Sequence, residues 1–125
     1  MLKDDGNMRT KLWTITLAVA CLLVSSSLAF AHAVLISSTP KANETLHGPL
    51  LDIDLKFNSR VDGTRSSLNI VSSDGSVKPL SLSKQVEPNE IAAQVKLTPG
   101  NYTLQWQALA VDGHITRGRI PFTVA

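Results

Sequence analysis

Between Leu51 and Phe57 the chain alternates strictly. Leu51, Ile53, Leu55 and Phe57 are apolar, and Asp52, Asp54 and Lys56 stand between them. A period of two sends the two sets to opposite faces of an extended strand, and a helix cannot bury that pattern on one side. Similar short runs recur along the rest of the chain. Val34 and Ile36 open a first strand, stopped by Ser37-Ser38-Thr39-Pro40; Leu68 and Ile70 form a third, closed by the turn Ser73-Asp74-Gly75-Ser76. Val77 to Leu82 is a weaker run that Pro79 pushes to a sheet edge. Ile91 to Leu97 ends at Thr98-Pro99-Gly100-Asn101, after which Tyr102, Leu104, Trp106, Ala108 and Ala110 alternate, and then Ile120, Phe122 and Val124. No stripe of period 3.6 competes with these runs. About seven short strands in some ninety residues predict an all-β, Greek-key, immunoglobulin-like sandwich or barrel with minimal helix. Tyr102, just after Pro99-Gly100-Asn101, stands where a tyrosine corner would bond back to the preceding turn, and Trp106 on the same face is the expected core aromatic.

The first 31 residues do not share this pattern. Lys3, Arg9 and Lys11 precede an apolar stretch from Leu12 to Val24, and Ala29-Phe30-Ala31 is a small-x-small cleavage signal. The stretch is shorter than the roughly 20 residues that span a bilayer, so residues 1–31 read as a cleaved signal peptide and residues 32–125 as one exported domain, soluble and monomeric. Cys21 after Ala18-Val19-Ala20 weakly resembles a lipoprotein signal without its usual leucine. Residues 32–125 retain nine basic and eight acidic residues and no cysteine or methionine. The domain therefore rests on its core without a disulfide, and its scattered cations argue against nucleic-acid binding.

Cleavage after Ala31 would start the protein at His32. An N-terminal histidine offers its α-amine and its Nδ1 to one metal as a chelate. Asp112 and His114 flank Gly113, and in an extended segment residues two apart point the same way. One amine, two imidazoles and a carboxylate suit a tetragonal Cu(II) ion, which the divalent affinity order also favours; the lack of thiolate and thioether removes the donors that select Cu(I). Val34 at the third position excludes the N-terminal tripeptide copper motif that needs histidine there. His47, in the loop before the second strand, reads as an exposed loop residue, and Arg117 and Arg119 as strand decoration or a shield for Asp112.

The opening His32-Ala33-Val34-Leu35 with Ser38-Thr39-Pro40 resembles the start of the bacterial CopC copper-resistance proteins. So does the closing stretch Pro99-Gly100-Asn101-Tyr102-Thr103-Leu104-Gln105-Trp106, followed by Asp112-Gly113-His114, Gly118 and Pro121-Phe122-Thr123-Val124. Leu51 to Phe57 is similar to the family's second strand. The resemblance implies a periplasmic sandwich that binds one Cu(II) ion through His32, Asp112 and His114, and that passes copper to an inner-membrane importer of the CopD type. Some members carry a second, Cu(I) site in a methionine-rich loop; with no methionine after Met8, this chain is expected to be a Cu(II)-only member.

Two other functions fit parts of the sequence. A copper-dependent oxidative enzyme also uses an N-terminal histidine chelate, but Asp112 as a fourth ligand leaves less room for oxygen, and four aromatics in residues 32–125 make no flat substrate platform. A metal-free immunoglobulin-like interaction module is what the middle of the chain alone would suggest. The sequence favours a copper-binding protein that is not an enzyme.

Overall fold

The computed structural model describes residues 32–125, gathered around one hydrophobic core; the expected signal peptide and the weak lipoprotein reading of Cys21 fall outside the described residues. Eight strands make two sheets, with no helix among the described residues. The strands are β1 (Leu35–Thr39), β2 (Glu44–Leu46), β3 (Leu50–Phe57), β4 (Ser67–Ser72), β5 (Val77–Pro79), β6 (Glu90–Lys96), β7 (Gly100–Leu109) and β8 (Ile115–Val124). One sheet has the order β1-β3-β6 and the other β2-β8-β7-β4-β5. No helix here is long and apolar enough to cross a membrane.

The alternation seen in the sequence is what closes the sandwich. Leu51, Ile53, Leu55 and Phe57 face inward from β3, each at most 3% exposed, against Ile91, Ala93 and Val95 of β6. From the opposite sheet come Leu68 and Ile70, then Leu104, Trp106 and Ala108, then Ile120, Phe122 and Val124. Trp106 packs edge-on to Phe57 with ring centroids 5.4 Å apart, joining the two sheets. It is the core aromatic the spacing predicted. Its room comes from Gly118, its cross-strand partner, where a methyl group would collide with the indole. The tyrosine corner is present too, since the Tyr102 hydroxyl donates to the Thr98 carbonyl at 2.7 Å.

The structure departs from the sequence reading at the edges. The short β2 was not expected; it pairs in parallel with the end of β8, and three residues give too little pattern to read. β1 runs through Ser37, Ser38 and Thr39, which had looked like a stop. Leu35 opposes the buried Phe57, so its neighbours Val34 and Ile36 turn outward, 54% and 62% exposed, and a register shift between Leu35 and Ser37 then brings Ser38 opposite Leu55. β8 starts five residues before Ile120, because Ile115 to Arg119 pair with β7 without apolar alternation. Pro79 does lie on an edge strand, β5. The chain then crosses to the other sheet, where Leu82 bridges Ala93.

Candidate metal centre

The segment His32–Val34 runs across one end of the sandwich, between the end of β3 and the start of β8. Ala33 is 1% exposed and acts as a plug in the core. Its carbonyl accepts the Thr116 hydroxyl at 3.0 Å. Val34 and Asn58 are joined twice, through Val34 N–H to Asn58 Oδ1 at 2.8 Å and Asn58 N–H to the Val34 carbonyl at 2.9 Å. Burying Ala33 and pairing Val34 leaves His32 exposed and fixed in direction. Sequence reading missed Asn58 and Thr116, and no spacing connects them to His32; only the fold brings them there.

The other half of the site is a turn that the chain uses three times. In Asp62-Gly63-Thr64 the aspartate Oδ1 accepts the Thr64 N–H at 2.9 Å and the Thr64 hydroxyl at 2.6 Å. In Asp74-Gly75-Ser76 it accepts the Ser76 N–H at 3.0 Å and the Ser76 hydroxyl at 2.7 Å. In Asp112-Gly113-His114 Oδ1 accepts the His114 N–H at 3.0 Å, and Oδ2 takes an imidazole nitrogen, Nδ1, at 2.9 Å. An aspartate bonding its own backbone two residues on is a common turn device. Here the third copy has an imidazole in place of the hydroxyl, a signal that was visible in the sequence. Gly113 has φ of +93°, which a side chain would resist.

These turns set the charges. The His114 N–H is the main reason the Asp112 carboxyl stays below its ordinary value of 3.8; desolvation opposes it, and the His114 side chain and the nearby His32 charge add further lowering. Asp112 is therefore a carboxylate down to lower pH than an ordinary aspartate. Its bond to Nδ1 leaves His114 Nε2 as the free ring donor. The His32 and His114 rings lie edge to face with centroids 4.7 Å apart. His32, Asp112 and His114 are thus gathered at one exposed corner. Among the described residues no three His, Cys, Asp or Glu side chains converge their donors on a single metal position. The side chains form a cluster whose donors a metal would have to draw together.

His47 is elsewhere. It follows Leu46, whose carbonyl accepts the Ala125 N–H at 2.8 Å beyond the far end of β8, and the ten residues of β8 separate the two ends of the sandwich by roughly 30 Å. Arg117 bonds Gln107 through Nε at 2.9 Å on the outward face of its sheet, an arrangement that decorates the strand and does not shield Asp112.

Residues 35–125 match the CopC domain. The chain is 30% identical to copper resistance protein C of Xanthomonas campestris pv. juglandis, over 89% of this chain and 93% of that one. It is 28% identical to the copper transport protein CutJ of Bacillus subtilis over 93% of its own length, but it spans only 22% of that larger protein. Among solved structures, CopC from Methylosinus trichosporium OB3b superposes with a TM-score of 0.64 at 29% identity, covering 74% of this chain and 93% of that one. PcoC, a methionine-rich copper resistance protein from Escherichia coli, gives 0.61 at 25% identity, covering 75% and 99%. The fold and the matched residues agree, and the chain belongs to the CopC family of copper-handling proteins.

Proposed function

We propose that the protein is exported to the periplasm, cleaved after Ala31, and binds one Cu(II) ion as a monomer at His32, Asp112 and His114. The observation that carries this reading is the 4.7 Å approach of the His32 and His114 rings beside the Asp112 carboxylate. Cleavage would add the His32 α-amine, so that amine and Nδ1 chelate the ion while His114 Nε2 and a free lone pair of Asp112 complete it. Nitrogen and carboxylate donors without sulfur favour Cu(II) over Cu(I). No catalytic role is assigned. The ion is cargo, held outside the cytoplasm and passed on to a membrane copper importer of the CopD type. The copper transport protein CutJ, in which a similar domain is joined to a much longer chain, supports that partner.

The decisive measurement compares Cu(II) affinity of three chains by competition with a chelator: one beginning at His32, one with a single extra residue before it, and His32→Ala. The extra residue turns the amine into an amide while leaving every side chain in place. Both altered chains should bind orders of magnitude more weakly, and binding should weaken in acid as the nitrogen donors take up protons. Affinity close to that of the parent in either altered chain would refute the proposed site.

A further inference from the structure

The outward face of β4, β7 and β8 has no part in the metal site and is unusual in composition. The pairing register aligns it in two rows across the three strands, Ser67–Gln107–Arg117 and Asn69–Gln105–Arg119. These six side chains line a shallow open groove of about 420 Å³. Above and below them the same face carries Val71, Asn101, Thr103, Leu109, Ile115, Pro121 and Thr123, so none of its outward positions on these strands is an aspartate or glutamate. Arg117 uses Nε on Gln107, which directs its Nη groups outward, and among the described residues neither guanidinium meets a carboxylate. Of the strand carboxylates, Asp52, Asp54 and Glu90 lie on the other sheet, and Glu44 of β2 is registered with Phe122, on the opposite face from the two arginines.

We infer that this face docks an extended acidic segment of a protein partner, with carboxylates at alternate positions pairing with Arg117 and Arg119. The two arginines are two residues apart on one strand, about 7 Å, which is also the spacing of side chains at alternate positions in an extended peptide. A guanidinium takes a carboxylate through two parallel hydrogen bonds, and Gln105, Gln107 and Asn69 offer both donors and acceptors to the peptide backbone and its polar side chains. The charge complementarity singles out this occupant. Nucleic acid would call for more cations and for well-exposed aromatic side chains to stack bases, whereas the one aromatic lining this groove, Trp106, is only 9% exposed. Two cations are too few to hold a membrane surface, for which clusters of four or more are typical. Arg117 lies three residues from His114, so a segment bound here would lie alongside the copper corner. The inference itself does not depend on metal binding.

The test uses the chain from His32 to Ala125, isotope-labelled and without metal. The probe is a blocked peptide, Thr-Glu-Thr-Glu-Thr, with the matching Thr-Gln-Thr-Gln-Thr as control. Added at millimolar concentration, the Glu peptide should shift amide signals of β4, β7 and β8. The shifts should fall at least tenfold in apparent affinity in R117Q/R119Q and should disappear in 0.5 M salt, where charges are screened beyond about 4 Å. Equal binding of the Gln peptide, shifts confined to other strands, or an unchanged response in R117Q/R119Q would overturn the inference. So would binding to vesicles containing 30% anionic lipid in the absence of any response to the peptide. Self-association abolished by R117Q/R119Q, again with no response to the peptide, would assign the face to a second copy of the chain and overturn it equally.

Discussion

Replacing Gly118 by alanine tests how the two sheets are joined. A methyl group at this position would press on Cε2, Nε1 and Cζ2 of the Trp106 indole at separations that real side chains do not tolerate. The β7 backbone is held on both sides, by β8 and β4, and Gly118 is paired directly with Trp106; β2 joins β8 only farther on, at Phe122–Val124. The indole cannot retreat into the core either, because Phe57 stands edge-on to it at 5.4 Å and is fully buried. The ring must leave its rotamer or the strands must part. Overpacking of this kind costs 1–3 kcal/mol, sometimes more, and a clash with three ring atoms belongs at the top of that range, about 3 kcal/mol. For a domain of this size each kcal/mol moves the melting temperature by roughly 4–8 °C, so G118A should melt on the order of 12–24 °C lower. Trp106 is the one tryptophan after residue 31, and its emission reports the displacement directly in the same urea titration. A second substitution, Trp106→Phe, shrinks the ring, and G118A should then cost less than in the parent, with a coupling of about 1–2 kcal/mol. A G118A protein within about 1 kcal/mol of the parent, with unchanged emission, would refute the packing described for this pair.

Three further outcomes are expected. In Asp112→Asn the Oδ1 still accepts the His114 N–H, but the amide cannot accept from Nδ1, so copper affinity should fall about 10–100-fold with the fold intact; chelator competition showing an unchanged affinity would argue against a role for this carboxylate. Tyr102→Phe removes the 2.7 Å bond to Thr98 but keeps the ring stacked on Phe122, and should cost about 1 kcal/mol in urea unfolding; no measurable loss would mean the corner is not stabilising. Glu90 has its carboxyl raised above the ordinary 4.5, first by its side-chain pairing with Asp54 and then by burial and the Asp54 charge; the buried Asp54 Oδ1 finds no hydrogen-bond partner among the described residues. A raised folded value means the protonated form stabilises the fold, with the benefit complete below 4.5 and lost as pH climbs through the folded value. Glu90→Gln should therefore flatten the pH dependence of stability in that window and be more stable than the parent at neutral pH; parallel pH profiles for the two proteins would contradict the shared proton.

The all-β architecture was legible because alternation is a local property. Leu51 to Phe57 can bury its apolar set only as a strand, and Tyr102 after Pro99-Gly100-Asn101 makes its bond four residues back, within reach of any reader of the sequence. The same holds for the Asp112–His114 contact, which is a turn bond between residues two apart. The facing of Val34 and Ile36 was not legible, since it follows from the pairing of Leu35 with Phe57, 22 residues away, and nothing local announces that register. β2 was hidden for a different reason: three residues have no period, and they become a strand only because the end of β8 offers a free edge.

The sequence by itself carried the two halves of the proposed copper corner, a histidine after an expected cleavage signal and an Asp-Gly-His turn whose two side chains point the same way. The tertiary structure decided that the halves meet. Thr116 reaches back 83 residues to the carbonyl of Ala33, and Asn58 pairs with Val34 from a third part of the chain. Those contacts exist because the core buries Ala33 between two sheets, and that burial holds His32 against His114. Gly118 is a parallel case, a residue whose lack of a side chain matters only once register places it opposite Trp106. Local bonding rules can be read from neighbours in sequence, whereas packing depends on which surfaces the closed sandwich presses together.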